Sequence, residues 1–224
     1  MSSEVEIGDE ADPRRLAYRN DGYVLLKRLF PPAVMRAFYE RLDSDLDLAG
    51  PQRFAVRNPL LSKVAIEIYS HQYPPMATFL YGLTPTMSGI AGLELLPTYG
   101  YFRIYQSGDI CRVHSDRPAC EHSLSLTVQL SEERPWALAV ERKYLEAPRP
   151  VMNEDFGEEE VASLPMTAGD AVMYQGVHHR HGRVEPNPNS WSAHLFLHWV
   201  DASGPYADQA FDQVATQGMA ANLT

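Results

Sequence analysis

Positive charge, cysteine and long apolar runs are all scarce in this chain of 224 residues. Lys and Arg number 19 against 29 Asp and Glu, a formal net charge of −10. Phosphate backbones are gripped by basic stripes, so this balance argues against a nucleic-acid partner. Only two cysteines occur, Cys111 and Cys120, too few for a disulfide framework. They flank a histidine-aspartate pair, yet they read first as buried free thiols and only second as metal ligands. No apolar stretch approaches the roughly 18 residues needed to cross a bilayer. The opening "MSSEVEIGDEADPRR" lacks the apolar core of a secretory leader. The expectation is a soluble cytoplasmic protein with no membrane partner. Residues 1–12 are expected to be a mobile acidic tail and residues 13–224 one domain.

A hydrophobic content of 45% is that of an ordinary globular chain. "PRRLAYRNDGYVLLKRLF" predicts a short helix, a turn at Asn20-Asp21-Gly22 and a strand over about 23–30. Pro31 and Pro32 then open a helix, where proline is tolerated in the first turn. Its apolar residues Val34, Met35, Phe38, Tyr39 and Leu42 fall at helical spacing. The segment 60–97 suggests one helix or two, broken at Pro74-Pro75, and His71 within it reads as structural.

From residue 100 the pattern turns to short alternating runs, "YFRIYQ", "ICRVHSD", "SLSLTVQL", "WALAVE", "AVMYQG" and "WSAHLFLHWV". Such runs, separated by Gly, Pro, Asp and Asn, indicate a β-sandwich or barrel. The acidic, proline-bearing stretch 146–166 reads as a long loop between two strands.

Alternate residues of a strand face opposite sides. In "SLSLTVQL", Leu124, Leu126, Val128 and Leu130 share one face, with Ser123, Ser125, Thr127 and Gln129 opposite. In "WSAHLFLHWV", Trp191, Ala193, Leu195, Leu197 and Trp199 oppose Ser192, His194, Phe196 and His198. A polar face of this kind is either solvated or turned into a barrel interior, and two histidines with a phenylalanine favour the interior. By the same alternation His114 and Asp116 of "HSD" project to one side, about 7 Å apart along a strand. An imidazole and a carboxylate can converge on one ion there, especially where the strand bends. The remaining ligand has three candidates in "GVHHRHGR": His178, His179 and His181. Two imidazoles and one carboxylate make a facial triad with open positions, the arrangement of non-haem Fe(II) oxygenases.

The order of these parts resembles the Fe(II)/2-oxoglutarate-dependent dioxygenases. The motifs are "HSDRPACEHS" (114–123), "PW" (135–136), "GDAVMYQG" (169–176), "HGR" (181–183) and "FLHWVD" (196–201). The closest bacterial pattern is H-x-D-R-x-x-C-E-x-S, P-W, G-D-A-x-x-Y-x-G, H-x-R and F-x-H-[YW]-x-D, over about residues 14–205. The resemblance implies a mainly β fold with flanking helices, the double-stranded β-helix or cupin-like jelly roll. It implies Fe(II) on His114, Asp116 and His181, with His178 and His179 at the mouth of the site or in the loop. It further implies 2-oxoglutarate as cosubstrate, O2 as oxidant, and hydroxylation of a C–H bond, since Asp116 stands where halogenating relatives have a small residue.

One departure is plain: relatives hold the far carboxylate of 2-oxoglutarate with a cation about ten residues past the second histidine. Here that stretch is "NPNSWSAHLF", and no Lys or Arg follows Arg183. A buried carboxylate needs a partner, and Arg is suited to grip it. Arg183 and Arg103 are the candidates, with Ser192 and His194 as polar company. Arg117, Tyr105 and Trp136 are candidates for substrate contact. Arg117 reads equally as a salt bridge to Glu121. The substrate itself, a small molecule with amino or amide functions or a protein residue, is not legible. Two other readings stay open: a mononuclear-iron oxygenase that does not use 2-oxoglutarate, and a non-catalytic metal-binding β-barrel.

Overall fold

The computed structural model describes residues 12–48, 54–149 and 151–212. Of the expected tail at 1–12, residues 1–11 lie outside the described residues, as does the chain beyond Asp212, and Asp12 belongs to the first helix as its cap. Helix α1 (Pro13–Asp21) begins at Asp12, whose carboxylate accepts the Arg14 N–H at 2.9 Å, an N-cap that satisfies one orphan donor. It stops at Gly22, whose φ of +78° suits glycine. Strand β1 (Tyr23–Leu26) follows, shorter than the run expected from sequence. Helix α2 (Pro32–Leu46) starts on its two prolines. It buries Met35 and Leu42 and packs Phe38 and Tyr39 against the core, while Val34 faces outward.

The segment 60–97 differs from the helical expectation. It holds strand β3 (Ala65–Tyr69), which pairs with β2 (Ala55–Val56), and only then helix α3 (Ala77–Ala91). "AIEIY" is β-branched and alternating, and Glu67 within it finds a cross-strand partner, Arg103. Strand β4 (Leu95–Gln106) starts well before the predicted "YFRIYQ". The remaining strands are β5 (Cys111–His114), β6 (His122–Leu130), β7 (Trp136–Glu141), β8 (Val161–Met166), β9 (Ala171–Tyr174), β10 (His181–Arg183) and β11 (Trp191–Asp201). Strand β8 lies inside the stretch read as loop. It is the edge strand of its sheet, where Pro165 costs no ladder bond.

All pairings are antiparallel and form two sheets, one ordered β1-β9-β6-β11-β4-β3-β2 and the other β5-β10-β7-β8. The largest core lies between the seven-stranded sheet and the helices. It takes Leu124, Leu126, Val128, Ala193, Leu195, Leu197 and Trp199, the apolar faces read from sequence. Each buried leucine contributes about 1.5–3 kcal/mol. Two smaller clusters lie between the sheets. Tyr23, Val172 and Tyr174 meet Leu138, Val140 and Met166 in one, and Tyr105 and Phe196 meet Cys111 and Trp136 in the other. The opposite faces of β6 and β11 therefore line a barrel interior: Ser123, Ser125, Thr127, Ser192, His194 and His198 are all buried. Among the described residues, no helix is long and apolar enough to cross a membrane.

Candidate active site

Strands β5 and β10 are antiparallel neighbours, and His114 and His181 are direct partners in their register. Directly opposed residues share a face, so the two rings meet with centroids 4.4 Å apart. Strand β5 ends at His114, and the chain bends there, with the Asp116 N–H donating to Gly176 O at 2.8 Å. The bend removes the 7 Å offset of a straight strand: Asp116 Oδ1 lies 3.6 Å from the Nε2 of both histidines.

The tautomers follow from the backbone. A carbonyl only accepts, so His114 Nδ1–H donates to Arg112 O (2.8 Å) and His181 Nδ1–H donates to His179 O (3.0 Å). Both Nε2 atoms therefore turn lone pairs towards the carboxylate, the arrangement of metal-ligating histidines. Burial, then the neighbouring His181, pulls the His114 pKa down. The close approach needs glycine at 176, where a Cβ would lie 2.2 Å from Asp116 Oδ2 and 2.6 Å from Cys120 O. Ser123 Oγ reaches Asp116 Oδ2 at 3.2 Å and steadies the second oxygen.

A second group, Asp116, Cys120 and His198, also brings ligand atoms within 4.8 Å of one another. It shares Asp116 with the first, Cys120 Sγ contacts Tyr99 OH at 3.1 Å, and His198 Nδ1 is tied to Ser123. Cys111 lines the cavity as a buried thiol, its pKa raised by burial. His178 and His179 face neither the triad nor the cavity. His179 is buried and donates to Glu141 O at 2.9 Å; His178 donates to Leu145 O at 2.8 Å and stacks on Tyr144. Of the two positions offered for them, they occupy the loop.

The candidate arginines separate cleanly. Arg103 is buried and forms an ion pair with Glu67 at 2.7 Å, also buried, and donates to Tyr105 OH at 3.0 Å. Arg183 is equally buried, but among the described residues no carboxylate pairs with it. Its guanidinium donates to Trp136 O (2.9 Å) and Ser125 Oγ (3.2 Å) and lies 4.8 Å from the Trp136 ring centroid. Burial pulls its pKa down. Arg183 Nη2 also contacts His194 Nδ1 at 3.3 Å. A guanidinium only donates, so His194 accepts at Nδ1 and keeps its proton on Nε2, a buried atom with no partner. Burial, with Arg183 and Arg103 nearby, holds the His194 pKa well below its ordinary value, so the ring stays neutral. A guanidinium with no carboxylate partner among the described residues, next to an imidazole N–H with no acceptor, is what a buried carboxylate requires.

Other expected contacts fall elsewhere. Ser192 donates to Asn187 Oδ1 at 2.7 Å and serves the 187–190 turn. Trp136 stands behind Arg183, outside the cavity lining, with its Nε1–H on Glu185 O at 2.8 Å. Tyr105 does line the cavity. Arg117 lies over the Tyr99 ring at the outer mouth, 4.4 Å from its centroid, while the Glu121 carboxylate accepts the Asp201 N–H at 2.9 Å. Sequence reasoning did not single out Tyr174, whose ring packs 4.5 Å from His181. The tyrosine of "GDAVMYQG" was the available signal.

No protein-family model matches the chain, and no curated protein matches it. Solved structures do. The non-haem, α-ketoglutarate-dependent carbocyclase SnoK of nogalamycin biosynthesis is similar over 88% of this chain and 86% of its own, at 15% identity and TM-score 0.67. HygX from Streptomyces hygroscopicus, solved with nickel and 2-oxoglutarate, is similar over 86% and 88%, at 10% identity and TM-score 0.62. EctD from S. alaskensis, solved with iron, is similar over 91% and 80%, at 16% identity and TM-score 0.60. The chain has the jelly-roll fold of the non-haem, 2-oxoglutarate-dependent enzymes.

Proposed function

We propose that the chain is a non-haem Fe(II), 2-oxoglutarate-dependent oxygenase that hydroxylates a C–H bond of a small molecule. One observation carries this reading: His114 and His181, with Nδ1 tied to backbone carbonyls, aim Nε2 at one carboxylate oxygen of Asp116. Two neutral imidazoles and a carboxylate suit Fe(II) and leave positions open for cosubstrate and O2. When bound, the iron and 2-oxoglutarate supply an oxidant for an unactivated C–H bond, with succinate and CO2 as coproducts.

The chain's own residues do the rest. Ser123 and Gly176 hold Asp116 in place, and the two backbone carbonyls fix both rings. Arg183 and the Nε2–H of His194 receive the far carboxylate of 2-oxoglutarate, taking the role of the cation absent from residues 187–196. The burial of Arg183 without a carboxylate favours this over the reading that omits 2-oxoglutarate. Leu138, Tyr174 and Phe196 wall the cavity and keep water from it. The test is succinate formation from 2-oxoglutarate by iron-loaded protein, with His114→Ala and Arg183→Gln as controls. Turnover lost in both variants supports the reading, and turnover unchanged in Arg183→Gln removes the cosubstrate assignment. A mass gain of one oxygen in the product separates hydroxylation from ring closure or epimerisation.

A further inference from the structure

We infer that His198 is a positioning residue for the metal: through Ser123 it commits one oxygen of Asp116 to a hydrogen bond and leaves the other for the ion. The inference rests on the oxygenase reading above. "HSDRPACEHS" ends on Ser123, and "FLHWVD" carries His198, which has no part in the triad or at the cosubstrate end. On the adjacent strands β6 and β11 the two are direct register partners, so their side chains share a face, that of the barrel interior. Both are buried, and His198 Nδ1 lies 2.9 Å from Ser123 Oγ. Tyr99 and Tyr101 pack on the imidazole, with ring centroids 4.6 and 5.9 Å away, and hold its orientation.

Proton counting gives the relay its direction. Ser123 Oγ has one proton and three acceptors in reach: His198 Nδ1, Cys120 O at 3.1 Å and Asp116 Oδ2 at 3.2 Å. Burial lowers the His198 pKa to about 4, so at neutral pH the ring carries one N–H. With that proton on Nε2, Ser123 would spend its own on Nδ1. The buried Nε2–H, which has no partner, would then be stranded. With the proton on Nδ1, His198 donates to Ser123 Oγ and Ser123 turns its hydrogen to an oxygen, two bonds in place of one. Of the two oxygens, the carboxylate makes the stronger, charge-assisted bond. The relay therefore runs from His198 Nδ1–H to Ser123 Oγ–H to Asp116 Oδ2.

A carboxylate can bind a metal through one oxygen or through two. Asp116 Oδ1 is the oxygen that lies 3.6 Å from both imidazole Nε2 atoms, whereas Oδ2 is turned to Ser123. Engaging Oδ2 confines ligation to Oδ1 and preserves the open positions that cosubstrate and O2 need. Without the His198 donor, the Ser123 hydroxyl can give its proton to Cys120 O instead, and Oδ2 loses its tie. His198 acts at one remove from the ion, as the supporting partners of metal ligands do.

The test is Mn(II) binding to the full chain, read by electron paramagnetic resonance as loss of the free-ion signal, in a double-mutant cycle. Ser123→Ala and His198→Phe should each weaken Mn(II) about ten-fold or more. In the Ser123→Ala background, His198→Phe should change the affinity less than about two-fold, because His198 acts only through Ser123. His198→Asn, whose amide nitrogen stands as many bonds from Cα as Nδ1, should recover most of the loss. His198→Gln, whose nitrogen stands one bond farther out, should not, and it replaces His198→Phe in the cycle if that variant fails to fold. A merely structural His198 would weaken Mn(II) equally with and without Ser123. Unchanged affinity in Ser123→Ala or in the His198 variant, or additive losses in the double variant, overturns the inference. The Fe(II)/2-oxoglutarate absorption band of the wild type reports separately on the oxygenase reading. A band with additive losses sinks only the inference, whereas a wild-type protein without the band sinks the reading beneath it.

Discussion

Replacing Arg183 and Arg103 by methionine should have opposite consequences, although both are buried arginines between the same sheets. Arg103→Met strands the Glu67 carboxylate, buried with its ion-pair partner gone. Breaking such a pair costs about 3–5 kcal/mol. For a domain of this size that lowers Tm by roughly 6–20 °C, at about 2–4 °C per kcal/mol. Arg183→Met strands no carboxylate among the described residues. It gives up hydrogen bonds to Trp136 O and Ser125 Oγ but removes a buried charge that lacks a counter-ion. Its Tm should stay within a few degrees of wild type or rise. Binding reverses the order. Loss of a buried charge-assisted partner for a carboxylate costs about 2–5 kcal/mol, roughly 30-fold to several thousand-fold in 2-oxoglutarate affinity. Thermal unfolding of the iron-loaded variants, with and without 2-oxoglutarate, reads both effects, because a ligand of the native state raises Tm. An Arg183→Met protein that unfolds as early as Arg103→Met and is still stabilised by 2-oxoglutarate would refute the assignment.

Three other outcomes are expected. His181→Ala should lose iron, measured by metal analysis after reconstitution, whereas His178→Ala and His179→Ala should keep it. His179→Ala should instead cost about 1–3 kcal/mol of stability, because the buried Glu141 carbonyl loses its donor. Equal iron loss from all three would dismiss His181 as the ligand. Gly176→Ala drives a Cβ into Asp116 Oδ2 and the Cys120 carbonyl, of which the second is backbone and cannot swing away. Iron affinity should fall about 10- to 100-fold, the range for disturbed supporting groups, and an unchanged affinity would show the carboxylate is not held there. Burial lowers the pKa of His122 and of His198 to about 4. Unfolded histidine takes up a proton near pH 6.5, so the unfolded state binds more protons between about pH 6.5 and 4. Stability of the metal-free protein is therefore full above pH 6.5 and lost as pH falls to 4, by about 3 kcal/mol per histidine. Denaturant melts that do not change over this window would contradict both burials.

The triad was legible because its evidence is periodic. Alternation in "ICRVHSD" grouped His114 with Asp116, although β5 ends at His114 and a bend brings the carboxylate in, and ordered motifs selected His181 from three neighbours. The interior polar faces of β6 and β11 were legible for the same reason. Strand β3 was not, because "AIEIY" fits either period over five residues and is decided by pairing with β4, a contact between residues about 36 apart in the chain. Strand β8 was hidden by the acid and proline content around it, which an edge position tolerates. Which arginine lacks a partner could not be read at all. Arg103 and Arg183 look alike in sequence, and only the fold brings Glu67 to one of them. Trp136 and Ser192 were placed on the right strands, but their partners, Glu185 O and Asn187, come from the turn before β11.

The central claim is that His114, Asp116 and His181 hold an iron that binds 2-oxoglutarate beside it. The most direct measurement is anaerobic absorption spectroscopy of the metal-free protein titrated with Fe(II) and then with 2-oxoglutarate. The account predicts a lilac metal-to-ligand charge-transfer band in wild type that is absent in His114→Ala. Iron uptake without the band, or the same band in His114→Ala, would contradict it.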